Sequence, residues 1–77
     1  MTYLVEKTDP SDRHGFPPET RQCEDFPSLK AAWEDMAERG HFEAHEEAGQ
    51  LVRGEREALE HTDPETGAEV TARKVAV

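Results

Sequence analysis

The stretch "EHTDPETGAEV", residues 60–70, decides how this chain folds. Asp63 can accept hydrogen bonds from the backbone two residues on, Pro64 presets φ for the first corner of a type I turn, and Gly67 supplies the positive φ that closes such a loop. The flanks, "REALEH" (56–61) and "AEVTARKVAV" (68–77), alternate and carry β-branched residues. Together they predict a β-hairpin with strands near 56–61 and 68–76. Ala68, Val70 and Ala72 should share one face of the second strand. The alternation breaks at Lys74, where a bulge or strand end is expected.

The motif has an echo near the N-terminus, "EKTDPSD" (6–12). It follows "TYLVEKT" (2–8), the clearest strand by propensity, and opens a Pro-, Gly- and Asp-rich loop, "DPSDRHGFPPE" (9–19). "TRQCEDF" (20–26) reads as a weak returning strand. Both Thr-Asp-Pro copies therefore end a strand and begin a turn. Asp-Pro is common turn chemistry, and so short an identity does not establish an internal duplication.

"FPSLKAAWEDMAERG" (26–40) is the strongest helix signal. Ser28 is a candidate N-cap and Gly40 a candidate C-cap residue. Leu29, Ala32, Trp33 and Met36 recur at i, i+3, i+4 and i+7 and should face the sheet, with Lys30, Glu34, Asp35 and Glu38 outward. "HFEAHEEAGQLVR" (41–53) predicts a second helix near 42–52, with a stripe of His41, Ala44, His45, Ala48 and Val52. Gly49 and Gly54 each weaken that helix by about 1 kcal/mol relative to Ala. The expected fold is α+β: a small antiparallel sheet, made of the N-terminal strand and the C-terminal hairpin, packed against one or two helices in a single domain spanning residues 1–77.

A chain of 77 residues buries a thin core. Tyr3, Phe16, Phe26, Trp33 and Phe42 carry much of its bulk. Little material remains to wall off a deep catalytic pocket. A homodimer that extends the core is a reasonable expectation. Cys23 is the sole cysteine, so no internal disulfide forms, and the N-terminus lacks a basic start and a long apolar run. No stretch approaches the ~20 apolar residues that span a bilayer. These features predict a cytoplasmic protein.

The net charge of −9 disfavours nucleic acid and anionic lipid as partners. The charge is uneven: residues 34–60 carry nine acids against three arginines. With both helices on the sheet, Glu34, Asp35, Glu38, Glu43, Glu46 and Glu47 should form one outward acidic face. Such a face can be merely solvated, or reflect halophilic adaptation. It can also dock on a basic protein surface, filling a groove built for a nucleic-acid backbone.

His41 and His45 lie four apart, a recurrent zinc-ligand spacing on a helix. Yet "HFEAH" is not H-E-x-x-H, and a third ligand would have to come from Cys23, His61 or a Glu. The plainer reading places both histidines at a core margin or partner surface. Glu24 and Asp25 beside Cys23 should raise its thiol pKa, against a nucleophilic role. "GFPPE" (15–19) reads as a rigid loop before a polyproline ligand. The chain carries no Gly-rich phosphate loop and no recognisable catalytic triad, so neither a cofactor nor an enzymatic role is expected. The leading expectation is a protein-binding module acting through the acidic face. Small acidic inhibitors from phage and other mobile elements, anti-CRISPR proteins among them, are similar in size and charge, although no motif ties the chain to a family. A small homodimeric structural or regulatory domain is the alternative, and a histidine-based metal protein the third.

Overall fold

A computed structural model describes residues 1–10 and 18–75. Phe16, most of the "GFPPE" loop and Ala76 lie outside the described residues. The elements are β1 (Thr2–Thr8), β2 (Glu19–Cys23), α1 (Phe26–Met36), α2 (His41–Val52), β3 (Ala58–Thr62) and β4 (Glu69–Val75). The four strands form one antiparallel sheet in the order β2-β1-β4-β3, packed against the two helices. This is the expected α+β architecture.

Strand alternation sets the core. Val5, Ala72 and Leu59 stand opposite one another across β1, β4 and β3, and all three are fully buried. Above them lie Leu29, Ala32, Trp33 and Met36 of α1, and Ala44, Ala48 and Leu51 of α2. The alanines let the helices approach while Trp33 fills the volume between layers. Each large side chain so buried contributes about 1.5–3 kcal/mol. Leu4 points the other way, between buried Tyr3 and Val5, on the sheet face that no described element covers. β4 does not break at Lys74. Its pairing with β1 runs on through Lys74, opposite Tyr3, to Val75, because ladder bonds do not depend on the side chain's polarity.

The hairpin loop forms as its sequence dictates. Asp63 Oδ1 accepts from the amides of Glu65 (2.8 Å) and Thr66 (3.4 Å), and the Asp63 carbonyl accepts from Gly67 N (2.8 Å). Gly67 takes φ +76°. β1 and β3 both run antiparallel to β4, so they run the same way and end at the same edge. The two Thr-Asp-Pro motifs therefore meet: a Cβ on Gly67 would lie 3.6 Å from Pro10 Cγ.

The helix ends differ from expectation. Asp25, not Ser28, caps α1: its carboxylate accepts from Ser28 N at 2.9 Å, which leaves Pro27 in the first turn, where its missing N–H costs nothing. α1 closes at Ala37, and Glu38 takes the left-handed turn at φ +53° that a glycine usually supplies. Gly40 instead caps the start of α2. The Glu43 carboxylate folds back into the space where a Gly40 side chain would begin.

Candidate functional site

The two packed helices and the turn between them carry the six candidate carboxylates, but the six have different fates. Asp35 is bound by Arg21 Nη2 at 2.7 Å, which ties α1 to the edge strand β2. Glu34 lies 3.6 Å from Lys30 Nζ and 3.7 Å from His41 Nδ1. Glu47 is drawn inward: its Oε1 accepts from Arg39 Nε at 2.9 Å and from the Trp33 indole at 3.4 Å, and its side chain is 18% exposed. Glu38, Glu43 and Glu46 are exposed and make no ion pair with any described residue. Three of the six charges are thus neutralised locally, and three face solvent.

Glu34, Asp35 and Glu38 line one shallow hollow on α1 together with Ala31 and Arg39. Glu43 and Glu46 sit three apart on α2, within side-chain reach of each other. Glu43 also lies in the first turn of α2, where the helix dipole favours a carboxylate.

Phe42 was expected among the core aromatics. It is instead 83% exposed. The reason is the phase of α2, whose buried positions are Ala44, Ala48, Gly49 and Leu51. Two residues before Ala44 is about 200° round the helix, at 3.6 residues per turn, so Phe42 points to solvent. The Phe42 ring meets the His41 ring edge-on at 5.7 Å, and Glu46 follows one turn later. The contacts Glu34–His41 and His41–Phe42 join the α1 hollow to this exposed aromatic. The expected stripe of His41, Ala44, His45, Ala48 and Val52 held the two buried alanines but was turned towards the histidines; the Ala44/Ala48/Leu51 spacing of i, i+4, i+7 gives the observed phase.

His41 and His45 are both exposed rather than part of a buried stripe. His41 Nδ1 lies 3.1 Å from Lys30 Nζ, and His45 packs edge-on against Phe26 at 5.2 Å. Among the described residues no group of three or more His, Cys, Asp or Glu side chains could hold a metal. Cys23 is buried and its Sγ lies 3.5 Å from the Ser28 carbonyl. Burial pushes its thiol pKa up; Arg21 opposes this, and Asp25 adds a smaller push upward. Desolvation, rather than the neighbouring acids, is therefore the main cause of the upward shift.

No protein family, curated protein or solved structure matches the chain. Among the described residues no helix is long and apolar enough to cross a membrane.

Proposed function

We propose that this chain is a non-enzymatic protein-binding module whose acidic helical face docks on a basic protein surface, such as one that holds a nucleic-acid backbone. The observation that carries this reading is the set of three exposed carboxylates without an ion-pair partner among the described residues, Glu38, Glu43 and Glu46, the last two on the same helix as an exposed Phe42. Unpaired carboxylates keep their full charge for a partner, and an apolar residue among them supplies the area that charge alone does not. An inhibitor of the anti-CRISPR or anti-defence kind would use such a face as a nucleic-acid mimic in the cytoplasm.

The test uses the chain as bait in a bacterial lysate, beside a variant with Glu38, Glu43 and Glu46 changed to Lys. The expected result is a basic nucleic-acid-binding protein retained by the wild type, displaced by added duplex DNA, and not retained by the variant. Equal retention by both proteins, or no DNA competition, would sink the reading.

A second reading, a homodimer, draws on the sheet's other face. Leu4 and Val75 are partly exposed there, and no described element covers them. Sedimentation equilibrium separates the two: a dimer broken by Leu4→Glu favours the second.

A further inference from the structure

We propose that Phe42 anchors the acidic face, and that its ring receives an arginine side chain of the basic partner while Glu46 takes the same guanidinium through its carboxylate. The inference rests on the acidic-face reading and narrows its partner chemistry from any basic surface to an arginine-bearing one.

The argument starts from exposure. Isolated surface hydrophobics are ordinary. Phe42, however, is 83% exposed and sits among carboxylates of one sign, with Glu43 beside it and Glu46 one helical turn away. Neither acid has an ion-pair partner among the described residues. An aromatic face is electron-rich and attracts a cation lying over it. A guanidinium is planar and weakly hydrated, so it can stack on a ring and still give two parallel hydrogen bonds to a carboxylate. An ammonium can do one or the other less well, because it is compact and strongly hydrated.

Charge complementarity decides against other occupants. A nucleic acid or acidic peptide would be repelled by Glu38, Glu43 and Glu46. A second copy of the chain, docked across a two-fold axis at Phe42, would bring Glu43 and Glu46 against their own equivalents. Phe42 lies in the first turn of α2, and its ring meets the His41 ring edge-on. A phenylalanine has only two side-chain torsions to fix, so little side-chain entropy is lost on binding.

The experiment is isothermal titration of the full chain with N-acetylated octa-arginine and octa-lysine, equal in length and charge. Wild type should bind octa-arginine about two- to five-fold more tightly, the value of one cation–π contact at an exposed site. Phe42→Leu keeps the apolar bulk and removes the π face, so the preference should shrink to what carboxylate pairing alone gives. Phe42→Tyr should keep it. Circular dichroism on each variant reports the fold, which an exposed position should not disturb. Equal binding of the two peptides by wild type overturns the anchor, and so does a preference undiminished in Phe42→Leu. Binding of neither peptide also overturns it. The acidic-face reading is judged apart from all of these, on the lysate experiment, in which Phe42 is unchanged.

Discussion

Arg39 donates through Nε to Oε1 of Glu47 at 2.9 Å, and this bond turns a residue of the acidic stretch into part of the structure. The same oxygen accepts from the Trp33 indole at 3.4 Å. Removing the acceptor leaves the N–H of a fully buried tryptophan short of a partner. Glu47→Ala should therefore cost about 1–2 kcal/mol. Glu46→Ala, one residue away and exposed, should stay within about 0.5 kcal/mol. Urea unfolding of the two variants checks the contrast, and equal midpoints would remove Glu47 from the fold's supports.

The second expectation concerns the core. Trp33 is fully buried, and Trp33→Ala should cost about 3–5 kcal/mol. That is comparable to the whole stability of many small domains, about 5 kcal/mol at the lower end. Native emission should be blue-shifted, and a solvent-like spectrum would contradict the placement. Leu59→Ala should cost about 2–5 kcal/mol, as a buried leucine does. Leu4→Ala should cost clearly less, since Leu4 lies on the uncovered sheet face.

What the sequence made legible, and what it hid, follows from range. Turn chemistry is local, so "DPETG" announced its own hydrogen bonds and the positive φ of Gly67. The α1 stripe was equally plain, because Leu29, Ala32, Trp33 and Met36 mark one phase. The caps were harder: Asp25 and Ser28 are nearly equal N-cap residues, and only Pro27 between them distinguishes the two. In α2 the stripe was right at Ala44 and Ala48 but was drawn towards His41 and His45, which are exposed, and away from Gly49 and Leu51, because the buried residues there are mostly small. No sequence pattern could show that β4 would insert between β1 and β3, or that Arg21 and Arg39 would neutralise Asp35 and Glu47. Those contacts exist only after long-range pairing.

The third expectation concerns acid. The Ser28 hydroxyl and amide hold the Asp25 carboxyl below the usual aspartate range, and the Glu65 amide does the same for Asp63. A folded-state pKa below the unfolded value adds stability that is present above about pH 4 and is lost as pH falls through the lowered value. Thermal midpoints should therefore fall on acidification below that range. Asp25→Asn and Asp63→Asn should each flatten the fall. A double variant with an unchanged acid limb would show that other carboxylates govern it. In the same loop, Gly67→Val should destabilise strongly, because a β-branched residue resists φ +76°, whereas Pro64→Ala should do less harm.

The fourth concerns metal. His41 and His45 are exposed, and His41 Nδ1 is already engaged with Lys30. Protein purified without a tag should carry no stoichiometric zinc. About one zinc per chain by elemental analysis, lost in His45→Ala, would instead make the histidine pair a ligand set.

The last expectation separates charge from shape on the acidic face. Glu38, Glu43 and Glu46 have no ion-pair partner among the described residues, so reversing them to Lys breaks no ion pair, and only Glu43 gives up a favourable place, the first turn of α2. Exposed charges contribute about 0–1 kcal/mol each, and unfolding should stay near wild type. Reversing Glu34, Asp35 and Glu47 should behave differently. It sets like charges against Lys30, Arg21 and Arg39, and should destabilise the chain. Binding to a basic partner should depend on the first set more than the second. It should also weaken as salt rises, because the Debye length shrinks from about 10 Å at 0.1 M to about 3 Å at 1 M. The association rate should fall more than the dissociation rate rises, since exposed charges act mainly by steering encounter. If reversal of Glu38, Glu43 and Glu46 leaves affinity and salt dependence unchanged, the face is a solvated one, and the uncovered sheet face becomes the surface to test.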